Sequence, residues 1–335
     1  MKILLTGATG TFGQAFLHYA LNGSGSDLVQ PITKLAAFAR SESRLALLAE
    51  QYKTFDAFRP FLGDVRDEAR LRDACRGMDI VIHGAALKRV DDGAYNPLEM
   101  HKTNVIGSIN VAEAARAMGV KKVILISSDK AVASINTYGG SKYQAENCLR
   151  ELNSHSAPQG TLVSCVRYGN VLASTGSVLT IWANQKKQNK PLTITDTSMT
   201  RFWMTARQAV EHVFRSIDLM QGGEIFIPAL RSSTIQDLAR AYSPHDEILE
   251  IGKRPGGEKP HEALLNEDEQ HRVISQKNVI VVPPAVSSWT THNWIDDRSC
   301  GLIPNPYASN SPHLCTYTVQ ELHLLIANCL ADFSL

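Results

Sequence analysis

The sequence predicts an α/β protein: a Rossmann-type, doubly wound parallel sheet joined to a smaller C-terminal α/β substrate-binding domain. Three observations predict it. Short, wholly apolar runs alternate with helical stretches through the first half, as strands buried on both faces by crossover helices do. The first run ends in a glycine-rich turn. After about residue 170 polar turns, scattered prolines and short amphipathic pieces replace that rhythm. At 335 residues the chain is long enough for about two domains of roughly 150 residues.

Taken in order, Ile3-Leu4-Leu5 is the first strand, and Gln14 to Leu21 reads as the helix after it. Leu35 to Ala39 is a second strand, and Phe61-Leu62 ends a third at Gly63-Asp64. Ile80 to His83 is a fourth, Val123 to Ser127 a fifth and Val163 to Val166 a sixth. One long helix is predicted from Leu98 to Met118. Further on, Pro255-Gly256-Gly257, Pro283-Pro284 and Pro304-Asn305-Pro306 mark loops. The expected division is residues 1–170, with a later strand and helix from about 205–240, and residues 171–335.

Composition narrows the function. Apolar residues make up 44% and charged residues 20%, ordinary for a soluble globular chain. Basic and acidic residues number 34 and 33, for a net charge of +1, so neither nucleic acid nor a membrane surface is the expected partner. No stretch approaches 18 apolar residues, so no membrane span is expected. Met1 to Leu5 resembles the start of a signal peptide, but Gly7, Gly10 and Gly13 interrupt the run too early. The six cysteines form no CxxC pair and no zinc spacing, so no metal is expected and the thiols read as reduced, in the cytoplasm.

Thr6-Gly7-Ala8-Thr9-Gly10-Thr11-Phe12-Gly13 spaces its glycines as GxxGxxG between a strand and a helix. Glycines there allow a tight turn and close approach to a pyrophosphate, which the helix N-terminus stabilises. Such a turn can also be purely structural; its place at the head of a βα series favours dinucleotide binding. The second strand ends at Ala39-Arg40-Ser41, where an NAD-binding chain usually has an acid. Arg40 and Arg44 are either solvated surface residues or a site for a 2′-phosphate; NADP is the favoured reading. Asp64-Val65 closes the third strand, as a turn or as a bond to an adenine amino group.

Tyr138 and Lys142 lie four apart on a helical stretch and share a face. An ammonium beside a phenol favours phenolate, which can take the proton of a substrate hydroxyl while hydride leaves the adjacent carbon. Ser127-Ser128-Asp129-Lys130 stands at the C-terminal end of the fifth strand, where ligands bind in open α/β sheets. Asp129-Lys130 is either an ordinary surface pair or a pair of acid–base catalysts.

With these residues assembled, TGATGTFG, Tyr138/Lys142 and Asn104 resemble the extended short-chain dehydrogenase/reductase superfamily. More narrowly, the chain resembles the inverting UDP-N-acetylglucosamine 4,6-dehydratases that begin pseudaminic acid biosynthesis. The segments carrying this are GDVRD at 63–67, HGAALK at 83–88, YNP at 95–97, KTNV at 102–105, SDKA at 128–131 and VRYGNV at 166–171. ITD at 194–196, MTRFW at 199–203 and GGEIF at 222–226 continue it. The Asp-Lys pair is the specific part. Hexose dehydratases of the deoxythymidine type carry Asp-Glu there, and membrane-anchored relatives usually have Met in place of Tyr138.

The resemblance implies a recycled, tightly bound NADP held by Gly7, Thr9 to Gly13, Arg40, Ser41, Arg44, Asp64, Val65, Gly84, Ala85, Lys88, Asn104, Tyr138, Lys142 and Val171. It implies a UDP-sugar held by Lys88, Asn170, Ser177, Arg201, Arg254, Glu258, Tyr307, Ser309 and Asn310, with a helix-start salt bridge as the other reading of Arg201. Tyr138 would remove the 4-hydroxyl proton, Lys130 the C-5 proton, and Asp129 would protonate the departing 6-hydroxyl. For Lys130 to act as a base its pKa must fall, and burial or Lys142 is expected to lower it. A homo-oligomer, often built on a helix-bundle dimer, is also implied. The chain departs from the family at Gly84, Ser128, Asp91, Asp92 and Ala94, and its Arg254 to Lys259 segment is one glycine longer. Two rival functions are a sugar-nucleotide 4-epimerase, which needs no acid–base pair at 129–130, and a non-catalytic NADP-sensing regulator, which usually lacks the tyrosine or lysine.

Overall fold

The structure is a computed structural model that describes residues 1–22, 31–155, 160–253, 257–285 and 293–333. β1 (Lys2–Thr6), β2 (Lys34–Ala39), β3 (Phe58–Leu62), β4 (Ile80–His83), β5 (Lys122–Ile126) and β6 (Leu162–Val166) pair in parallel in the order β3-β2-β1-β4-β5-β6. The strand Ile225–Pro228 adds in parallel beside β6, and Val279–Val282 and Ile274–Gln276 complete that edge antiparallel. The chain reverses its direction of winding between β1 and β4. That switch point opens a crevice at the C-terminal ends of the central strands.

Central strands are buried on both faces, which is why they read as continuous apolar runs: Ile3, Leu4, Leu5, Val81, Ile82, Val123, Ile124 and Leu125 are inaccessible to solvent. α1 (Thr11–Leu21) covers one face through Phe16 and Leu17. It starts three residues earlier than the apolar periodicity suggests. The Phe16 ring lies 4.9 Å from Phe214 on helix Ala206–Leu219, so a helix from the second half of the chain helps cover the first.

The single helix expected over 98–118 is three pieces: Pro97–His101, a wide π-turn over Lys102–Ile106, and Gly107–Ala117. The π-turn carries Asn104, whose side chain bonds a loop 17 residues away in sequence; such turns often mark functional sites.

Residues 170–171, 200–204 and 231–234 form a three-stranded sheet, and 192–194 pairs with 248–250. These pack with helices Val178–Lys187, Ile235–Tyr242 and Val319–Phe333 around a second core of Trp182, Trp203, Leu238, Leu322 and Ile326.

Candidate active site

The glycine turn after β1 is tight enough to dictate its residues. Gly7 has φ +74°, and a Cβ there would lie 2.6 Å from the Ala85 nitrogen and the Gly84 carbonyl carbon. A Cβ on Gly13 would lie 2.5 Å from the Gly7 oxygen. Helix α1 is capped by Gly10, which offers no side chain to the first turn. Its amides form the kind of backbone surface that receives a pyrophosphate. Thr11 Oγ1 accepts the Thr175 amide at 3.0 Å, tying the turn to the loop before Ser177.

Behind the turn runs a buried chain: Thr6 Oγ1 to His83 Nδ1 at 2.7 Å, His83 Nε2 to Ser108 Oγ at 2.9 Å, and Ser108 Oγ to the Asn104 carbonyl at 2.6 Å. Burial, with help from the Lys142 charge, pushes His83 down to about 3, so it is a neutral strut. Asn104 is inaccessible to solvent. It accepts the Leu87 amide and donates to the Leu87 carbonyl, both at 2.8 Å, and donates to Ser141 Oγ at 2.9 Å. Its polar atoms thus fix the loop carrying Gly84, Ala85 and Lys88 to the helix carrying Tyr138.

At the end of β2, Arg40 and Arg44 are exposed and Ser41 caps the next helix, accepting the Arg44 amide at 3.5 Å. Two guanidinium groups therefore stand free of the core beside the crevice. Asp64 is paired with Arg66 at 2.7 Å, and that bond holds its carboxyl below the usual range. Val65 is buried against Gly107.

The catalytic candidates meet at the end of β5. The Asp129 amide donates to the Tyr168 carbonyl at 3.0 Å, extending the β5–β6 pairing past the sheet. Asp129–Ala131 then forms one tight turn capped by Ser128. Helix Thr137–Glu151 lies directly on this turn: a Cβ on Gly139 would fall 2.2 Å from the Lys130 carbonyl oxygen, so only glycine permits the approach. Tyr138, one residue earlier, is thereby set beside Ser128, Asp129 and Lys130.

Asp129 is completely buried. Its Oδ1 accepts from Ser128 Oγ at 2.8 Å and from Lys130 Nζ at 3.1 Å, while Oδ2 has no hydrogen-bond partner. Lys130 Nζ also lies 3.4 Å from Glu262, whose other oxygen is 2.6 Å from Lys259 Nζ.

Two expected pKa directions are corrected. Burial pulls the Lys130 ammonium down, but Asp129 and Glu262 more than reverse that and hold it above its ordinary value. The Tyr138 phenol is raised, not lowered: burial dominates, and the cation that opposes it is Lys130. The Lys142 charge is felt instead by His83 and is partly balanced by Glu146 on the same helix; burial brings Lys142 itself down to about 8. Spacing puts Tyr138 and Lys142 on one face, but the tertiary neighbours decide which charge each senses.

Val90, Asp91, Lys130, Asn136, Arg201, Gly257, Glu258, Lys259 and Glu262 line a cleft beside the Asp129 turn. Arg201 is buried in it; it donates to the Pro260 carbonyl at 3.0 Å and pairs with Glu258 at 3.3 Å. Arg201 does form an ion pair, but from within the strand Thr200–Met204 and not at a helix start as expected, and the pair joins two of the predicted substrate residues to each other. Lys88 is an exposed side chain whose ammonium is partly desolvated by its surroundings, which lowers its pKa. Asn170 Oδ1 and Ser177 Oγ are buried with no hydrogen-bond partner. Val171 is half-buried on the short strand beside Asn170.

Tyr307 and Ser309 are engaged within the protein. The Tyr307 hydroxyl accepts the Leu230 amide at 2.8 Å, and Ser309 Oγ accepts the Glu262 amide at 2.9 Å. Asn310 is exposed, and Arg254 lies outside the described residues. Sequence reasoning missed Glu262, Lys259, Asn136 and Asp91 as cleft residues. The signal for Glu262 was a lone acid ahead of the apolar Ala263-Leu264-Leu265 run. Asn136 donates to the carbonyl of Gly257 at 3.1 Å.

A parallel Rossmann sheet with a tyrosine–lysine helix laid across the end of β5 is the architecture of the short-chain dehydrogenase/reductase class. Within that class the chain belongs to the polysaccharide biosynthesis protein family, whose pattern matches residues 3–284. It is 38% identical over 286 residues to the UDP-N-acetylglucosamine 4,6-dehydratase (inverting) of Campylobacter jejuni subsp. jejuni serotype O:2, covering 85% of this chain and 83% of that one. It is 36% identical over 330 residues to the UDP-glucose 4-epimerase of Rickettsia massiliae, covering 97% and 95%. The X-ray structure of Pen from Bacillus thuringiensis superposes with a TM-score of 0.84 at 32% identity, covering 98% of each chain. Among the described residues no helix is long and apolar enough to cross a membrane, and no acidic, histidine or cysteine cluster could hold a metal.

Proposed function

We propose that this chain is an NADP-dependent UDP-N-acetylglucosamine 4,6-dehydratase that inverts C-5, giving UDP-2-acetamido-2,6-dideoxy-β-L-arabino-hexos-4-ulose. The observation carrying this reading is the Asp129–Lys130 turn: a buried acid with one oxygen unbonded, 3.1 Å from a lysine, beside Tyr138. A 4-epimerase needs a base at the 4-hydroxyl and no second acid–base pair.

The glycine cradle at 7–13 fits a pyrophosphate, and Arg40 and Arg44 suit a 2′-phosphate by charge and exposure. A nicotinamide held there would supply the hydride acceptor for oxidation at C-4 and the hydride donor for reduction at C-6. Tyr138 accepts the 4-hydroxyl proton as phenolate, having first released its own proton to solvent. The ketone that results makes the C-5 proton acidic, and neutral Lys130 removes it. Asp129 delivers a proton to the departing 6-hydroxyl, which leaves as water. The resting turn holds Lys130 as an ammonium, so the pair reaches its working form by passing that proton from Lys130 to Asp129, with no net gain or loss. Reprotonation at C-5 from the opposite face, by a proton drawn from solvent, inverts that centre and offsets the proton Tyr138 released. Lys88, Asn170, Ser177 and Arg201 are the proposed UDP-sugar contacts. Asn170 Oδ1 and Ser177 Oγ have bonding capacity to spare, while Arg201 would exchange part of its bond to Glu258 for a phosphate. We further propose a cytoplasmic homo-oligomer.

The Rickettsia relative favours a second reading, a 4-epimerase. Incubating the pure protein with UDP-N-acetylglucosamine and following product mass separates the two. Loss of one water supports the dehydratase; a new product of unchanged mass means epimerisation.

A further inference from the structure

We propose that Glu262 is a positioning residue for the elimination step: its buried carboxylate pins Lys130 against Asp129, and Lys259 on its second oxygen tempers how strongly it does so. This rests on the dehydratase reading above and extends it to a residue outside the Asp129–Lys130–Tyr138 set.

The geometry is that of a built site. Glu262 is 2% exposed, so its charge is held out of water and must be balanced locally. It is balanced twice, by Lys130 at 3.4 Å and Lys259 at 2.6 Å. Its backbone is fixed on both sides by Ser309: the Glu262 amide donates to Ser309 Oγ at 2.9 Å, and the Ser309 amide donates to the Glu262 carbonyl at 2.7 Å. Lys259 is itself anchored, donating to the Val132 carbonyl at 2.8 Å. The segment after the glycine loop thus delivers a fixed anion to the open side of the Asp129 turn.

That placement has a chemical consequence. Lys130 must give up its proton before it can act as a base, and each carboxylate beside it opposes the loss. Asp129 can accept the proton and so solves the difficulty it creates. Glu262, ion-paired with two lysines, stays anionic and retains the ammonium. The other charged or titratable groups facing Lys130 are Tyr138 from the helix, Arg201 from the neighbouring strand, and Asp91 and Glu258 across the cleft. Among these, Glu262 is the acid in ion-pair contact with Lys130 that lies outside its own turn.

The test reads Lys130 directly, apart from turnover. Competitive acetylation of the whole protein across a pH series, with the Lys130 peptide quantified by mass spectrometry, gives its titration midpoint. Glu262→Gln should move that midpoint down by about one pH unit or more, the usual influence of a charge at this distance. Lys259→Met should move it up, because Glu262 then acts on Lys130 alone. The pH dependence of water loss from UDP-N-acetylglucosamine should shift in the same two directions. A Lys130 midpoint unmoved by Glu262→Gln, or moved the same way by both variants, overturns the proposal. Should Glu262→Gln fail to fold, a midpoint that does not rise in Lys259→Met overturns it alone. Wild-type protein that releases no water from the sugar nucleotide refutes the dehydratase reading instead, and the acetylation midpoints remain a separate result.

Discussion

Two buried charge clusters stand side by side at the C-terminal edge of the sheet, and they are built to different ends. At the end of β6, Arg167 is 1% exposed and directs its guanidinium to Glu146, Glu269 and the Leu264 carbonyl through five hydrogen bonds of 2.7–3.2 Å. Nothing in that cluster is left to bond. One strand away, Asp129 is just as buried but keeps Oδ2 unbonded, and Lys130 is a quarter exposed to the cleft. Both clusters touch helix Thr137–Glu151, through Glu146 in one case and Tyr138 in the other. A closed set of charges fixes the helix; an open one leaves an acid and a base with unused capacity. Burial alone does not distinguish a strut from a catalyst, but incomplete satisfaction does.

The largest expected effect is on the closed cluster. Arg167→Met leaves two buried carboxylates without the cation they share and should cost about 3–5 kcal/mol in urea unfolding. A loss under about 1 kcal/mol would break the comparison, since the charges would then not depend on being paired. In the open cluster, Lys130→Ala and Tyr138→Phe should each slow dehydration by about 10² to 10⁴. They should also differ from each other. Lys130→Ala should stall after oxidation, with a rise in absorbance near the nicotinamide band, whereas Tyr138→Phe should show none. Near-wild-type dehydration by Lys130→Ala removes Lys130 from the mechanism.

A smaller effect lies at the exposed end of β2. Arg40→Glu should weaken NADP by on the order of tenfold relative to NAD, the size of a lost charge-assisted bond of roughly 1.5 kcal/mol. Equal weakening of both shows that Arg40 does not read the phosphate. The smallest effect is a pH slope. Burial raises the Glu269 pKa, but Arg167 more than offsets this and leaves it below its ordinary value. Its contribution is therefore present above the unfolded glutamate value of about 4.3 and is lost as pH falls through the lower folded value. Unfolding free energy measured from pH 6 downward should fall less steeply in Glu269→Gln; an identical acid slope would separate Glu269 from acid stability.

Much of the scaffold was legible because it rests on local rules. Apolar runs located β1 to β6 to within a few residues, and Gly7, Gly10 and Gly13 marked the cradle, where close backbone approach at Gly7 and Gly13 admits no other residue. The helix at 98–118 was misread as continuous because periodicity does not report a turn widened at Asn104, whose bonds go to Leu87. Tyr307 and Ser309 were expected as substrate contacts only through the family resemblance; the packed chain gives them partners at Leu230 and Glu262.

The sequence by itself therefore determined the parallel sheet, the glycine cradle and the residue types able to move protons. Periods of two and 3.6 residues and glycine's missing Cβ act over a few neighbours in the chain. The tertiary structure alone decided the electrostatics: that Lys130 is held as an ammonium, that Tyr138 senses Lys130, and that Glu262 reaches into the site from 132 residues away in the chain. Charge acts through space and burial, and neither is set until distant segments have packed.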